Sequence, residues 1–189
     1  MGITTFTIEL LTEALQHVRP GKVCELGAQN LYDAPYPNPM YADIWYRERK
    51  MEYQCIDLNK ENNALPIDLE RSECKLEPVE WVTDFGTSEH IRNYFNVWKY
   101  KHDLCKEGGL IISENPKTGN WPKHGFNYTS VDFYKVLARL MRYEIIKIGE
   151  HPAMGNVTNG WNVYCILRKT KDNEFIKEKE FKKLKFKDK

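Results

Sequence analysis

Apolar residues recur every three or four positions in residues 7–18, at Ile8, Leu11, Leu15 and Val18. That spacing predicts an amphipathic helix, which Pro20-Gly21 ends. Shorter apolar runs follow. Lys22–Leu26 reads as a buried strand stopped by Gly27, and residues 53–57 (YQCID) as a second. Residues 65–69 (LPIDL) offer a short third, which Pro66 confines to an edge because it has no amide to donate. Residues 80–85, 110–113, 144–148 and 161–167 complete the strands. Helices are predicted over 41–51, over 88–104 with Ile91, Phe95, Trp98 and His102 on one face, and over 130–141 with Ser130 or Thr129 as cap. Pro35, Pro37 and Pro39 make residues 30–40 a rigid loop, and Glu107-Gly108-Gly109 reads as a turn.

Strands and helices alternate, which predicts an α/β fold with a mainly parallel sheet. No helix separates the last two strands, so they should form an antiparallel C-terminal hairpin. The expected architecture is a Rossmann-like three-layer sandwich over residues 1–168, followed by a lysine-rich C-terminal tail, 169–189.

Composition narrows the class. The 189 residues are 41% apolar, 13% aromatic and 29% charged, enough for one folded core. No apolar run reaches the roughly 18 residues of a membrane span, and MGITTFTIEL has neither a signal-peptide pattern nor Ser or Thr at Phe6 for myristoylation. Cys24, Cys55, Cys74, Cys105 and Cys165 are odd in number and form no CxxC pair, which disfavours a disulfide framework and a cysteine zinc site. Free thiols fit a cytoplasmic protein. Net charge is +1, yet residues 168–189 hold ten basic and five acidic residues; that stretch carries +5 and leaves −4 on the remainder. A solvated extension accounts for such a tail, and its removal from Lys171 on is expected to leave folding intact.

In open α/β sheets ligands bind beyond the carboxyl ends of the strands. Here those ends read Glu25-Leu26-Gly27-Ala28-Gln29-Asn30, Asp57-Leu58-Asn59, Asp68-Leu69, Asp84-Phe85-Gly86-Thr87-Ser88-Glu89-His90 and Ser113-Glu114-Asn115-Pro116. Polar and glycine residues gather there and are sparse inside the strands, so one crevice should collect them. Glu25 is a carboxylate in an apolar strand, which is costly unless paired; an exposed edge position would also explain it. Asp57 closes a strand where an acid commonly accepts ribose hydroxyls, although acids also end strands as helix caps.

With VCELGAQN, CIDLN, TDFGTSEHI and KEGGLIISENP in view, the chain resembles a class I S-adenosylmethionine-dependent methyltransferase from about Phe6 to Arg168. The resemblance implies S-adenosylmethionine as cofactor. Glu25, Gly27 and Asn30 would hold its methionine part and Asp57 its ribose. Asp68 and Leu69 would flank the adenine, and Phe85 and Gly86 would lie under the cofactor. Gln29 and Leu31 stand where the family pattern has its later glycines, so the loop must run differently here. After the fifth strand, Trp121-Pro-Lys-His124-Gly-Phe-Asn-Tyr128 resembles a His-Gly-Phe stretch of sugar and small-molecule methyltransferases and would face the acceptor.

The sulfonium makes the methyl group electrophilic, so the protein need only align the acceptor and exclude water, with no metal. A hydroxyl acceptor benefits from a general base. His124 is the candidate, with His90 and Glu89 as alternatives; a loop histidine bonded to backbone is the structural reading of the same residue. His17, His102 and His151 read as structural or exposed. Trp45-Tyr46 and Trp121 offer an aromatic lid or simply core packing. The expected activity is in-line methyl transfer to oxygen or nitrogen of a small molecule or sugar. Two alternatives stand: a methyltransferase-like binding module without catalysis, and a nucleic-acid methyltransferase that uses the lysine tail as a clamp.

Overall fold

The computed structural model describes residues 2–32, 40–153 and 160–184. In chain order the elements are α1 (Thr5–Ala14), β1 (Lys22–Leu26), β2 (Asn30–Leu31), β3 (Met40–Tyr41), α2 (Asp43–Glu48), β4 (Glu52–Ile56), β5 (Val79–Phe85), α3 (Tyr94–Leu104), β6 (Cys105–Pro116), α4 (Val131–Met141), β7 (Glu144–Pro152), β8 (Trp161–Arg168) and α5 (Glu178–Phe181). Six strands form one sheet in the order β4-β1-β5-β6-β8-β7, parallel from β4 to β6 and antiparallel across β6, β8 and β7.

The period of two along each strand sorts side chains to opposite faces. Cys24, Leu26, Val82 and Ile111 pack toward α3 and α4, with Tyr94, Trp98 and Tyr134. Val23, Trp81, Leu110 and Ile112 pack toward α1 and α2, with Leu10, Leu11, Trp45 and Tyr46. These are the three layers expected. Trp45 and Tyr46 are fully buried core rather than lid.

Local chemistry moves several boundaries. α1 begins at Thr5 because the Thr4 and Thr7 side chains form a capping box. The helix expected over 88–104 is broken: a 3₁₀ turn at Ser88–His90 comes first, and Asn93 caps α3 by accepting from the Asn96 amide. The edge strand expected over 65–69 reduces to a single bridge between Ile56 and Leu65, since Pro66 cannot extend the ladder. The Glu107-Gly108-Gly109 turn lies inside β6 instead. There the register against β5 shifts, Gly108 adopts φ +80°, and a Cβ on Gly109 would stand 2.7 Å from the Glu80 carbonyl. Pro35, Pro37 and Pro39 lie outside the described residues, as do residues 154–159 of the 149–160 connection and the last five residues.

The segment after β8 is not a free extension: most of it is exposed, but Lys169, Phe175 and Phe181 anchor it to the body. Lys169 Nζ is buried and donates to the His102 and Cys105 carbonyls and to Asp172. Phe175 and Phe181 enter the α3/α4 face of the core, where Phe181 is wholly buried beside Tyr94, Phe95 and Phe133. His102 is structural: its Nε2 donates to the Asn173 carbonyl, so its Nδ1 accepts from the Tyr143 hydroxyl, and burial holds its pKa below the ordinary value.

Candidate functional site

The carboxyl ends of β1, β4 and β5 open onto a cavity of about 520 Å³. Five of the eight residues expected to hold a cofactor line it: Gly27, Asp57, Asp68, Leu69 and Gly86. His90 lines it as well. The floor depends on two left-handed glycines, Gly27 at φ +84° and Gly86 at φ +89°. A side chain on Gly27 has no room, because its Cβ would fall 2.2 Å from Thr87 Oγ1 and 2.6 Å from Gln29 Nε2.

That crowding explains how the loop closes without its later glycines. Gln29 folds inward and donates to Thr87 Oγ1 at 2.7 Å and to the Leu26 carbonyl at 3.3 Å; Thr87 donates to the same carbonyl at 2.8 Å. The side chain that departs from the glycine pattern is thus a brace between the first loop and the β5 loop. Asp57 ties the loop to the neighbouring strand by accepting from the amides of Ala28 and Asn59, both at 3.0 Å. A carboxylate has about four acceptor sites, so two remain for a ligand. Asp68 likewise accepts from the Glu70 amide at 2.9 Å at the far wall.

Three expected cofactor residues do not line the cavity. Phe85 packs in the α1/α2 core, because alternation along β5 turns it away. Asn30 sits in β2, paired with Tyr41. Glu25 is completely buried, and its carboxylate accepts from the hydroxyls of Tyr53 at 2.7 Å and Tyr46 at 3.2 Å. Burial pushes its pKa from 4.5 up to about 8, against the opposing pull of the two tyrosines. The folded state therefore keeps a proton that the unfolded chain loses, and stability should fall as pH rises from 4.5 to about 8, then level. We expect Glu25→Gln to remove this fall, worth up to about 1.4 kcal/mol per pH unit. Thermal unfolding across the window should show the two proteins diverging as pH rises; a constant difference would mean that Glu25 is ionised in the fold.

Glu89, His90 and His124 come together beside the cavity, and of the three His90 lines it. Glu89 Oε1 lies 3.6 Å from His90 Nε2 and 3.6 Å from His124 Nε2. The loop carrying His124 is stapled to Glu89 by backbone: the Phe126 and Asn127 amides donate to the Glu89 carbonyl at 2.7 and 3.2 Å. Gly125 is required at this crossing, since its Cβ would lie 2.7 Å from that carbonyl. Tyr128 accepts from the His124 and Gly125 amides, and Trp121 donates to the Trp161 carbonyl, fixing the loop at both ends.

Sequence reasoning missed the supports beneath this cluster. Asp84 Oδ1 accepts from the Thr87 and Ser88 amides, and its other oxygen pairs with the buried Lys101. Asn115 donates to Ser88 Oγ and to Glu89 Oε2. A lysine inside the apolar face of a predicted helix was the available signal, because a buried cation needs a partner.

No family model and no curated protein matches the chain. Solved structures do. The 1,6-didemethyltoxoflavin-N1-methyltransferase of Burkholderia thailandensis, solved with 1,6-didemethyltoxoflavin and S-adenosylhomocysteine, superposes at a TM-score of 0.57 and 12% identity, over 85% of this chain and 77% of that one. The N-methyltransferase NodS of Bradyrhizobium japonicum, with S-adenosylhomocysteine, gives 0.56 and 8%, over 87% and 88%. Coclaurine N-methyltransferase, bound to N-methylheliamine and S-adenosylhomocysteine, gives 0.59 and 10%, over 87% and 72%. At these identities the likeness is one of fold: the chain has the Rossmann-like architecture of S-adenosylmethionine-dependent methyltransferases.

Proposed function

We propose that the protein is an S-adenosylmethionine-dependent methyltransferase acting on a small molecule or sugar, with transfer to oxygen or nitrogen. The observation that carries this reading is the cavity at the strand ends. It is floored by glycines at positive φ and bounded by Asp57 and Asp68, and it lies beside a carboxylate–imidazole cluster in a fold of this type. The volume suits a ligand of nucleoside size. The solved neighbours named for small acceptors support a small-molecule substrate. Of the tail lysines, Lys169 is spent on backbone carbonyls inside the fold and is closed to a nucleic-acid clamp.

Within this reading Asp57 accepts the ribose hydroxyls, and Asp68 and Leu69 flank the adenine. Gly27 and Gly86 let the backbone approach the ligand. Glu25 and Asn30 act from behind the first loop by holding its shape, and Phe85 supports the floor from the core. S-adenosylmethionine supplies an electrophilic methyl group when bound. The chain's part is to hold the acceptor in line, exclude water and accept its proton. His124 takes that proton in this reading, with His90 and Glu89 beside it as alternatives.

Calorimetry with S-adenosylmethionine and S-adenosylhomocysteine tests the reading, and absence of binding to both would sink it. Asp57→Ala should weaken binding about 10- to 100-fold, the loss expected for a hydrogen bond to a charged group at roughly 1.5–3 kcal/mol. A folded variant that binds like the parent would remove Asp57 from the ribose. The rival reading, a binding module without catalysis, draws on the Gln29 brace in the glycine loop. It predicts binding without methyl transfer to any acceptor in a panel.

A further inference from the structure

Glu89, His90 and His124 each offer one ligand-type atom, and all three atoms lie within 4.8 Å of one another. Two features set this cluster apart from an ordinary surface group. First, Glu89 is only 1% exposed, and its Oε1 has no hydrogen-bond partner among the described residues. His124 Nε2 is likewise buried and unpartnered. A buried carboxylate oxygen and a buried ring nitrogen facing each other at 3.6 Å without a hydrogen bond are costly unless a proton on the ring or a bound cation balances the carboxylate. Second, the cluster has the support that metal ligands need. Asn115 pins Glu89 Oε2 at 3.3 Å and leaves Oε1 free to turn inward, while the backbone bonds to the Glu89 carbonyl lock the His124 loop against it.

We propose that Glu89 Oε1, His90 Nε2 and His124 Nε2 form a binding site for one divalent first-row transition-metal ion beside the cavity that His90 lines. Donors about 2.0–2.2 Å from such an ion stand roughly 3.0–3.5 Å apart, and the carboxylate lies 3.6 Å from each imidazole. Small side-chain rotations close that gap. Two imidazoles and one carboxylate suit zinc, cobalt, manganese or iron(II), and three protein ligands leave positions open for an exogenous oxygen. The sequence assigned no metal because the cysteines offer no pattern, and the two histidines are 34 positions apart and meet only in the fold.

The use of this ion in methyl transfer rests on the proposed activity. An acceptor hydroxyl on its open face would release its proton to solvent more readily than in water, and His124 would then be a ligand rather than the base. The ion site itself does not rest on that activity.

Titration of the full chain with cobalt(II) alone, followed by its visible absorption, tests the site. One saturating equivalent is expected, displaced by zinc(II). His124→Ala and His90→Ala should each weaken uptake by at least about tenfold. The His90 side chain is 47% exposed, so its loss should not cost the fold, and far-ultraviolet circular dichroism verifies this for both variants. No saturable uptake, or uptake unchanged in both folded variants, overturns the site. S-adenosylhomocysteine binding measured in parallel separates the two proposals. Cobalt uptake without it keeps the ion site and sinks the methyltransferase reading; its binding without cobalt uptake does the reverse.

Discussion

Truncation before Lys171 is expected to lower stability by several kcal/mol and to prevent folding at physiological temperature. The deleted segment contains Phe181, wholly buried, and Phe175, 9% exposed, which together close the core over Tyr94, Phe95 and Phe133. Replacing one buried phenylalanine by alanine typically costs about 3–5 kcal/mol, while whole domains hold only about 5–15 kcal/mol. The deletion also removes Asp172, the carboxylate partner of buried Lys169, and Asn173, whose carbonyl accepts from His102. Phe181→Ala alone should show about 3–5 kcal/mol of the loss in denaturant unfolding. A truncated chain that melts like the parent would return the segment to the solvated tail its composition suggests.

The tail shows where the sequence was legible and where it was not. Strands β1, β5 and β8 announce themselves by compact apolar runs, and the antiparallel hairpin follows from the missing helix between its strands. Those are local signals. In the tail, Phe175, Ile176 and Phe181 are diluted among lysines and follow no clear period, so only the tertiary groove between α3 and α4 reveals them as core. The site divides in the same way. Asp57, Asp68 and Gly27 were legible because the strand-end rule needs only element order. Glu25 and Phe85 were misplaced because the rule gives the end of a strand but not which face a side chain takes. Gln29 read as a defect in the glycine pattern; it proves to be a brace because its partner, Thr87, lies 58 positions away.

The second large effect is expected at Lys101→Met. Lys101 and Asp84 are both fully buried, and their ion pair lies under the β5 loop that presents Glu89 and His90. Burial alone would raise the Asp84 carboxyl, but the charge and hydrogen bond of Lys101 overcome it and hold the pKa below the ordinary 3.8. Stability from this pair is therefore present above pH 3.8 and lost as acid reaches the lowered value. Methionine is close to lysine in length and volume, so the change removes the charge, and with it the ammonium's contact with the Trp98 ring, while filling the same space. It leaves Asp84 buried with the Thr87 and Ser88 amides, the Ser88 hydroxyl and a long contact from Asn115, none of which carries a charge. Breaking one side of a buried pair costs about 3–5 kcal/mol, chiefly through the stranded charge. Asp84→Asn should cost a similar amount, because it strands the lysine. The double variant strands neither, so its loss should be smaller than the sum of the two singles by more than about 1 kcal/mol in denaturant unfolding. Strict additivity would show that the pair is incidental to the fold and that the β5 loop is held by its backbone bonds alone.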